Sequence, residues 1–294
     1  MLNLSRLDID SKPQIEKYIK NKFENSETSF ANLFIWSHYY NTLWGETDGF
    51  LVMLNTSPDG RVHCYMPYGE GDIKACIDKL MDHTLSMGQE LRITNASKEQ
   101  AHMIKELYPD TVIEENRNFE DYVYLTEKLI ALSGKELHAK RNHLNKFKAS
   151  YTYNYRPMEK GDFSECLSLA GELISKDRPK GSFAYEAEMQ SIRTAFEYFN
   201  ILGLSGGVIE IDGRICAFSV GEELTENCAV IHIEKADITY NGIYSAINNE
   251  FVKNRWKGYE FINREEDMGI EGLRKAKLSY KPHHLVEKYI CRVK

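Results

Sequence analysis

The charges in residues 261–282, FINREEDMGIEGLRKAKLSYKP, are sorted by sign. Glu265, Glu266 and Asp267 follow directly on a short apolar run that reads as a strand and carries Asn263. On the helix after them Arg274, Lys277 and Lys281 recur at i, i+3 and i+7, beside an apolar stripe of Leu273, Ala276 and Tyr280. Arginine offers a phosphate a bidentate fork and lysine a point charge, while carboxylates hold an ammonium such as that of an amino-acid moiety. The other reading of the same charges is a solvated helix with i,i+4 partners.

A second group lies upstream. In residues 227–235, which read as a strand, His232 and Glu234 share a face because strand side chains alternate, and Asp237 follows at the strand's end. These residue types can take a proton from an amine nucleophile, although a polar strand end would carry them for solvation alone. Tyr240, Asn241 and Gly242 then lead into another helix, whose N-terminus is a natural place for a phosphate.

Elements in a definite order must position these groups. Residues 151–157 read as a strand, followed by helices at 163–176, capped by Asp162 with Glu165 in the box position, and at 185–199. Strands at 202–211, 214–222 and 227–235 form a meander, the first two joined by the hairpin signal Asp212-Gly213. A helix at 243–254, a strand at 259–263, a helix at 270–280 stopped by Pro282, and a strand at 285–293 complete the half. The first half repeats this order more faintly, with strands at 2–5, 42–44, 50–55, 61–66, 90–94, 111–114 and 121–125 and helices at 13–23, 30–40, 72–87 and 98–107. Two such halves point to a divergent tandem repeat.

A meander feeding a helix, a parallel strand and another helix resembles the GCN5-related N-acyltransferase (GNAT) fold. The expectation is an α+β protein (α/β, three-layer) of tandem GNAT folds, with mixed central sheets flanked by helices. It divides into a degenerate N-terminal GNAT-like domain at 1–130, a basic connector helix at 131–150 and a C-terminal GNAT-like domain at 151–294 that holds the cleft. The resemblance implies that the meander's last strand and the next strand splay apart around an extended acyl carrier. Acetyl-coenzyme-A enzymes usually carry an Arg/Gln-x-x-Gly-x-Gly/Ala turn there, of which this chain keeps only Gly242. The matching turn of the first half, Tyr68-Gly69-Glu70-Gly71-Asp72, places acids where a phosphate needs positive potential, so a structural use is expected.

The connector, residues 133–150, carries five Lys/Arg against one acid and reads as a helix capped by Ser133, with Glu136 completing the box. Its Lys140, Arg141, Lys146 and Lys148 could contact tRNA phosphates, or could coat a charged interdomain helix.

The segments 29–36 (SFANLFIW), 118–122 (NFEDY), 135–147 (KELHAKRNHLNKF) and 267–282 resemble the catalytic domain of phosphatidylglycerol lysyltransferases and its small relatives without a membrane region. That family is similar to the Fem peptidoglycan transferases. The resemblance implies transfer of an amino acid from aminoacyl-tRNA to a lipid or peptide acceptor, with Asp267, Arg274 and Lys277 in the second-half cleft. An acyl-coenzyme-A donor and a small amine acceptor are the alternative enzyme reading, and a non-catalytic binding protein on the same fold is the third.

Composition bounds these readings. A chain of 294 residues, 42% hydrophobic and 28% charged, has room for two ordinary cores. The N-terminus reads as neither signal peptide nor anchor, and no window approaches the roughly 18 apolar residues of a membrane helix, so a cytoplasmic location is expected. A net charge of −7 disfavours general nucleic-acid binding. The six scattered cysteines, without a C-x-x-C pair, read as buried thiols. No metal is expected, since the histidines are scattered and His283-His284 lacks the i,i+4 spacing of a zinc site.

Overall fold

Apolar runs bounded by turn residues become the strands of two separate sheets in the computed structural model, which describes residues 2–294. The chain divides into two units, Met1–Glu120 with Val286–Lys294, and Asp121–Leu285. The first contains β1 (Ser5–Arg6), α1 (Lys12–Ile19), α2 (Phe30–Tyr40), β2 (Leu43–Thr47), β3 (Phe50–Thr56), β4 (Val62–Tyr65), β5 (Tyr68–Gly69), α3 (Ile73–Ser86), β6 (Leu91–Ala96), α4 (Lys98–Leu107) and β7 (Val112–Glu115). The second opens with β8 (Asp121–Leu125), α5 (Thr126–Ala131), α6 (His138–Ser150), β9 (Tyr153–Pro157), α7 (Phe163–Asp177), α8 (Phe183–Glu197) and α9 (Phe199–Leu202). It continues with β10 (Ser205–Ile211), β11 (Arg214–Thr225), β12 (Cys228–Ala236), α10 (Ile243–Phe251), β13 (Phe261–Asn263) and α11 (Glu271–Leu278). β14 (His284–Val286) spans the return crossing, and β15 (Tyr289–Val293) lies in the first unit.

The first sheet runs β1-β2-β3-β4-β6-β15-β7 with β5 on β3, and the second runs β14-β8-β13-β12-β11-β10-β9. Each contains a parallel pair, β4 with β6 or β12 with β13, flanked by antiparallel ones. Asp212 and Gly213 both take positive φ, 51° and 75°, as the tight β10–β11 hairpin requires. The apolar faces of the second sheet bury Tyr122, Tyr124, Ile262, Phe251 and Trp256 in one core, and α6 adds Leu144 and Phe147 to it.

Two strands pair differently from their place in the sequence. β8, read with the first half, pairs antiparallel with β13, and β15, read with the second, lies between β6 and β7. Strand alternation records which face is buried but not which neighbour supplies the hydrogen bonds.

Two expected caps are also absent. α6 starts at His138 with Leu137 as its uncapped first residue, because Leu132 and Gly134 take left-handed φ of 47° and 86° and keep 133–136 out of the helix. Asp162 gives no cap to α7: its carboxylate accepts two 2.7 Å bonds from Arg156 and one from the Glu159 amide, and Glu165 instead accepts from the Ile215 amide at 2.8 Å.

All six cysteines are buried and outside any disulfide, and burial pushes the Cys291 thiol up to about 11. The first unit also buries an ion pair, Lys288 with Glu27, whose ammonium is fully enclosed.

Candidate active site in the second unit

The parallel pairing of β12 with β13 lasts three residues, from Cys228 opposite Phe261 to Val230 opposite Asn263. Beyond it β12 continues to Ala236, while Arg264, Glu265 and Glu266 part from β12 and keep backbone bonds only to Tyr122 of β8, with Glu265 in a left-handed conformation at φ 57°. Side chains bridge the gap where backbone bonds stop.

His232, its side chain 2% exposed, stands between two carboxylates, with Nδ1 2.7 Å from Glu265 Oε1 and Nε2 3.0 Å from Glu222 Oε1. Burial opposes its charge, but the hydrogen bonds and charges of Glu222 and Glu265 prevail and raise it to about 10. At neutral pH it is an imidazolium with both N–H groups occupied, which ties β11 and β12 to the chain after β13.

One strand pleat further on, Glu234 accepts 2.8 Å from Arg264 Nη2 and 3.1 Å from Asn248 Nδ2 of α10. Arg264 also lies over the Tyr280 ring, 4.8 Å from its centroid, and Tyr280 donates to Ser245 Oγ at 3.3 Å. Asp237 is spent on the turn after β12, where its Oδ1 accepts from the Thr239 amide at 3.0 Å.

The cations of the 274–281 stripe have separate tasks. Arg274 binds both oxygens of fully buried Asp267 at 2.8 Å, and Tyr122 donates to the same carboxylate at 2.5 Å. Burial would raise Asp267, but those hydrogen bonds and the Gly269 amide hold it down at about 2. Lys277 is buried and donates to the carbonyl oxygens of Arg264 and Glu265, on the stretch that has left β12 but still bonds Tyr122 of β8 through the Arg264 amide and the Glu265 carbonyl. Burial lowers its pKa, Glu266 opposes this, and Arg264 adds to the lowering. Lys281 lies beyond the helix end, exposed and left-handed at φ 56°.

The substrate residues expected from sequence are placed unequally. Asn263 is fully buried, donating to Asp121 Oδ2 at 3.0 Å and accepting from the Glu265 amide at 2.7 Å, so it fixes the bend itself. Glu266 is half-exposed beside Lys277.

At the start of α10, Tyr240 packs its ring 5.3 Å from that of Tyr151, whose hydroxyl accepts from the Asn241 amide at 3.3 Å. Gly242 takes φ 93°, and a Cβ there would strike the His143 carbonyl of α6 and lie 3.1 Å from Phe147 Cβ. The helix terminus that serves phosphates in acetyl-coenzyme-A enzymes is here packed beneath another helix.

Of the four basic α6 residues, Lys140 places its ammonium 4.3 Å over the Tyr280 ring, and Arg141 donates to the Leu132 carbonyl at 2.5 Å. Lys148 pairs with Glu250 at 3.2 Å, and Lys146 is exposed. Sequence reasoning overlooked Arg264, Asn248 and Glu222, and it read Tyr280 only as part of an apolar stripe and Tyr122 only as part of a resemblance segment. The adjacent asparagines at 248 and 249 inside an otherwise apolar helix were the available signal, since asparagine is a poor helix-interior residue.

The two units have a tandem GNAT fold, and the second holds a splayed, polar strand pair. A tandem GNAT protein from the clavulanic acid biosynthesis pathway shares the fold, at TM-score 0.53 and 9% identity over 99% of this chain and 98% of that one. The family model for the phosphatidylglycerol lysyltransferase C-terminal region matches residues 20–292. The chain belongs to that family.

A conserved protein of unknown function from Bacteroides thetaiotaomicron is 33% identical, with a TM-score of 0.91 and full coverage of both chains. L-PGS from Bacillus licheniformis is 16% identical at TM-score 0.68, covering 98% of this chain and 92% of that one. An uncharacterised protein of Mycoplasmoides gallisepticum is 26% identical over 70% of this chain, the match spanning 66% of that protein's length, just under two thirds. Among the described residues no helix is long and apolar enough to cross a membrane.

Proposed function

We propose that the second unit moves an aminoacyl group from aminoacyl-tRNA to an amine or hydroxyl acceptor on a lipid or peptide, in the cytoplasm where charged tRNA is made. The choice of donor rests on one observation: Gly242 is packed against α6, so the side of the α10 N-terminus that a coenzyme A pyrophosphate would approach at this glycine is covered. Membership in the lysyltransferase family supports the same donor.

In this reading the acceptor attacks the aminoacyl ester carbonyl, Glu234 takes the proton of the attacking group, and the bond to the ribose oxygen breaks as that proton passes to the released ribose hydroxyl. Arg264 and Asn248 fix the two Glu234 oxygens for that task. Lys277 and the His232 clamp are positioning residues that hold the bend after β13.

The test is release of a labelled amino acid from charged tRNA into lipid or peptide acceptors, run beside acetyl-coenzyme A. Transfer from charged tRNA is expected, and Glu234→Gln should reduce it by about 10²–10⁴-fold, the usual worth of a general base. Transfer from acetyl-coenzyme A with none from charged tRNA would overturn the proposal.

A further inference from the structure

The basic residues of α11 are committed to protein groups, whereas two cations nearby are not fully neutralised. Arg264 uses Nη2 on Glu234, but its Nη1 is buried without a hydrogen-bond partner. Asn248, 1% exposed, uses Nδ2 on the same carboxylate, and its Oδ1 is likewise buried and unpartnered. An unused donor and an unused acceptor, both attached to Glu234, each forfeit a hydrogen bond that water would have supplied.

Lys140 reaches the same place from α6. It is half-buried, it shares the Tyr280 ring with Arg264, at 4.3 Å and 4.8 Å respectively, and it makes no ion pair among the described residues. The charges acting on it are Arg264 and Glu234. Two cations against one carboxylate leave one positive charge, in a setting where aromatic faces and burial have already removed part of the cations' water.

We infer that Lys140 and Arg264 form a binding site for a single phosphodiester, held by ion pairing to Lys140 and by a hydrogen bond from Arg264 Nη1. Asn248 Oδ1 then accepts from a hydroxyl beside the phosphodiester. A monoanion neutralises the leftover charge, and a neighbouring hydroxyl satisfies the remaining acceptor. A glycerophosphate headgroup and the 3′ end of an RNA both present a phosphodiester with an adjacent hydroxyl. The site rests on the reading that substrates lie in the second unit, and it assigns phosphate recognition to Lys140 and Arg264 rather than to Arg274, Lys277 and the turn at Gly242.

Calorimetric titration at low salt with two probes, glycerophosphoglycerol and the ribodinucleotide CpA, tests it. Saturable binding of at least one probe is expected, and the probe preferred identifies the lipid or the RNA as the source. Lys140→Gln removes a half-exposed side chain and should leave the thermal melt unchanged while weakening binding by about tenfold or more, the worth of one charged hydrogen bond. Asn248→Leu should weaken it less, and Lys257→Gln, exposed elsewhere in the unit, should not change it. Binding that survives Lys140→Gln unaltered, or no binding of either probe at millimolar concentration, overturns the site. Lys140-dependent binding without transfer from charged tRNA would leave this site standing and remove the donor assignment above.

Discussion

Both units contain a parallel strand pair followed by a helix, but one is closed and the other open. In the first unit Cys64 and Tyr65 of β4 face Ile93 and Thr94 of β6, and the pairing extends beyond the strand through the Met66 amide to the Thr94 carbonyl at 2.9 Å. In the second unit the pairing ends at Val230 and Asn263, and the next two carbonyls are served by Lys277. The helices that follow differ too. α3 begins at Asp72, whose carboxylate accepts from the Ala75 amide at 3.0 Å and fills the anion position itself, while α10 begins at Gly242 with no side-chain cap and α6 above it. Complete backbone pairing leaves no place for polar side chains between the strands. Breaking it admits them, and obliges the fold to supply counter-charges.

The largest break in that comparison should come from Arg264. Arg264→Leu strands Glu234 with only Asn248 as a partner and should cost about 3–5 kcal/mol, as removing one member of a buried pair does. Thr94→Val at the closed pair loses only a hydroxyl bond to Cys64 O, 3.2 Å long, and should cost about 1 kcal/mol. Urea unfolding of the two variants checks this, and equal costs would mean that the open pair carries no special electrostatic load.

Two strand histidines sharpen it further, because they should titrate in opposite senses. His232 is raised to about 10, so its contribution is complete below the ordinary histidine value of 6.5 and is lost as pH rises through about 10. His63 on β4 is lowered to about 4, by burial first and then by Arg92 and Arg61, so its contribution is complete above 6.5 and is lost as pH falls through about 4. Unfolding measured from pH 4 to pH 10 should lose its alkaline slope in His232→Gln and its acid slope in His63→Gln, each on the order of 1–3 kcal/mol.

The smallest effect concerns the helix starts. Asp72→Ala should cost about 1 kcal/mol, the ordinary value of a cap. Gly242→Ser offers α10 the cap it lacks, yet should destabilise by more than Asp72→Ala does, because φ 93° and the His143 carbonyl both oppose a side chain. Thermal melts of both variants decide the order.

What sequence revealed follows from the range of each signal. The order of elements was legible because periodicity and the Asp212-Gly213 turn are local. The partners of Asp121–Leu125 and Tyr289–Val293 were not, since nothing in a five-residue strand names its neighbour. His232, Glu234, Glu265 and Asp267 stood out as charges at strand ends, and the structure gathers them into one neighbourhood with Lys277. Arg264 did not, because within NREED it reads as one more solvated charge, and only the coordinates reveal its burial against Tyr124 and Tyr280. The stripe of Arg274, Lys277 and Lys281 was real as spacing but not as one surface, because Glu271–Leu278 ends before its last member.

The position of β15 has a consequence for biosynthesis. It lies inside the first sheet, between β6 and β7, yet all of the second unit precedes it in the chain. While the ribosome is still making residues 121–285, the facing edges of β6 and β7 have no strand between them. The first unit therefore cannot complete its sheet until the second has been made, so the two sheets, finished by β14 and β15 a few residues apart, reach completion together rather than amino-terminal unit first.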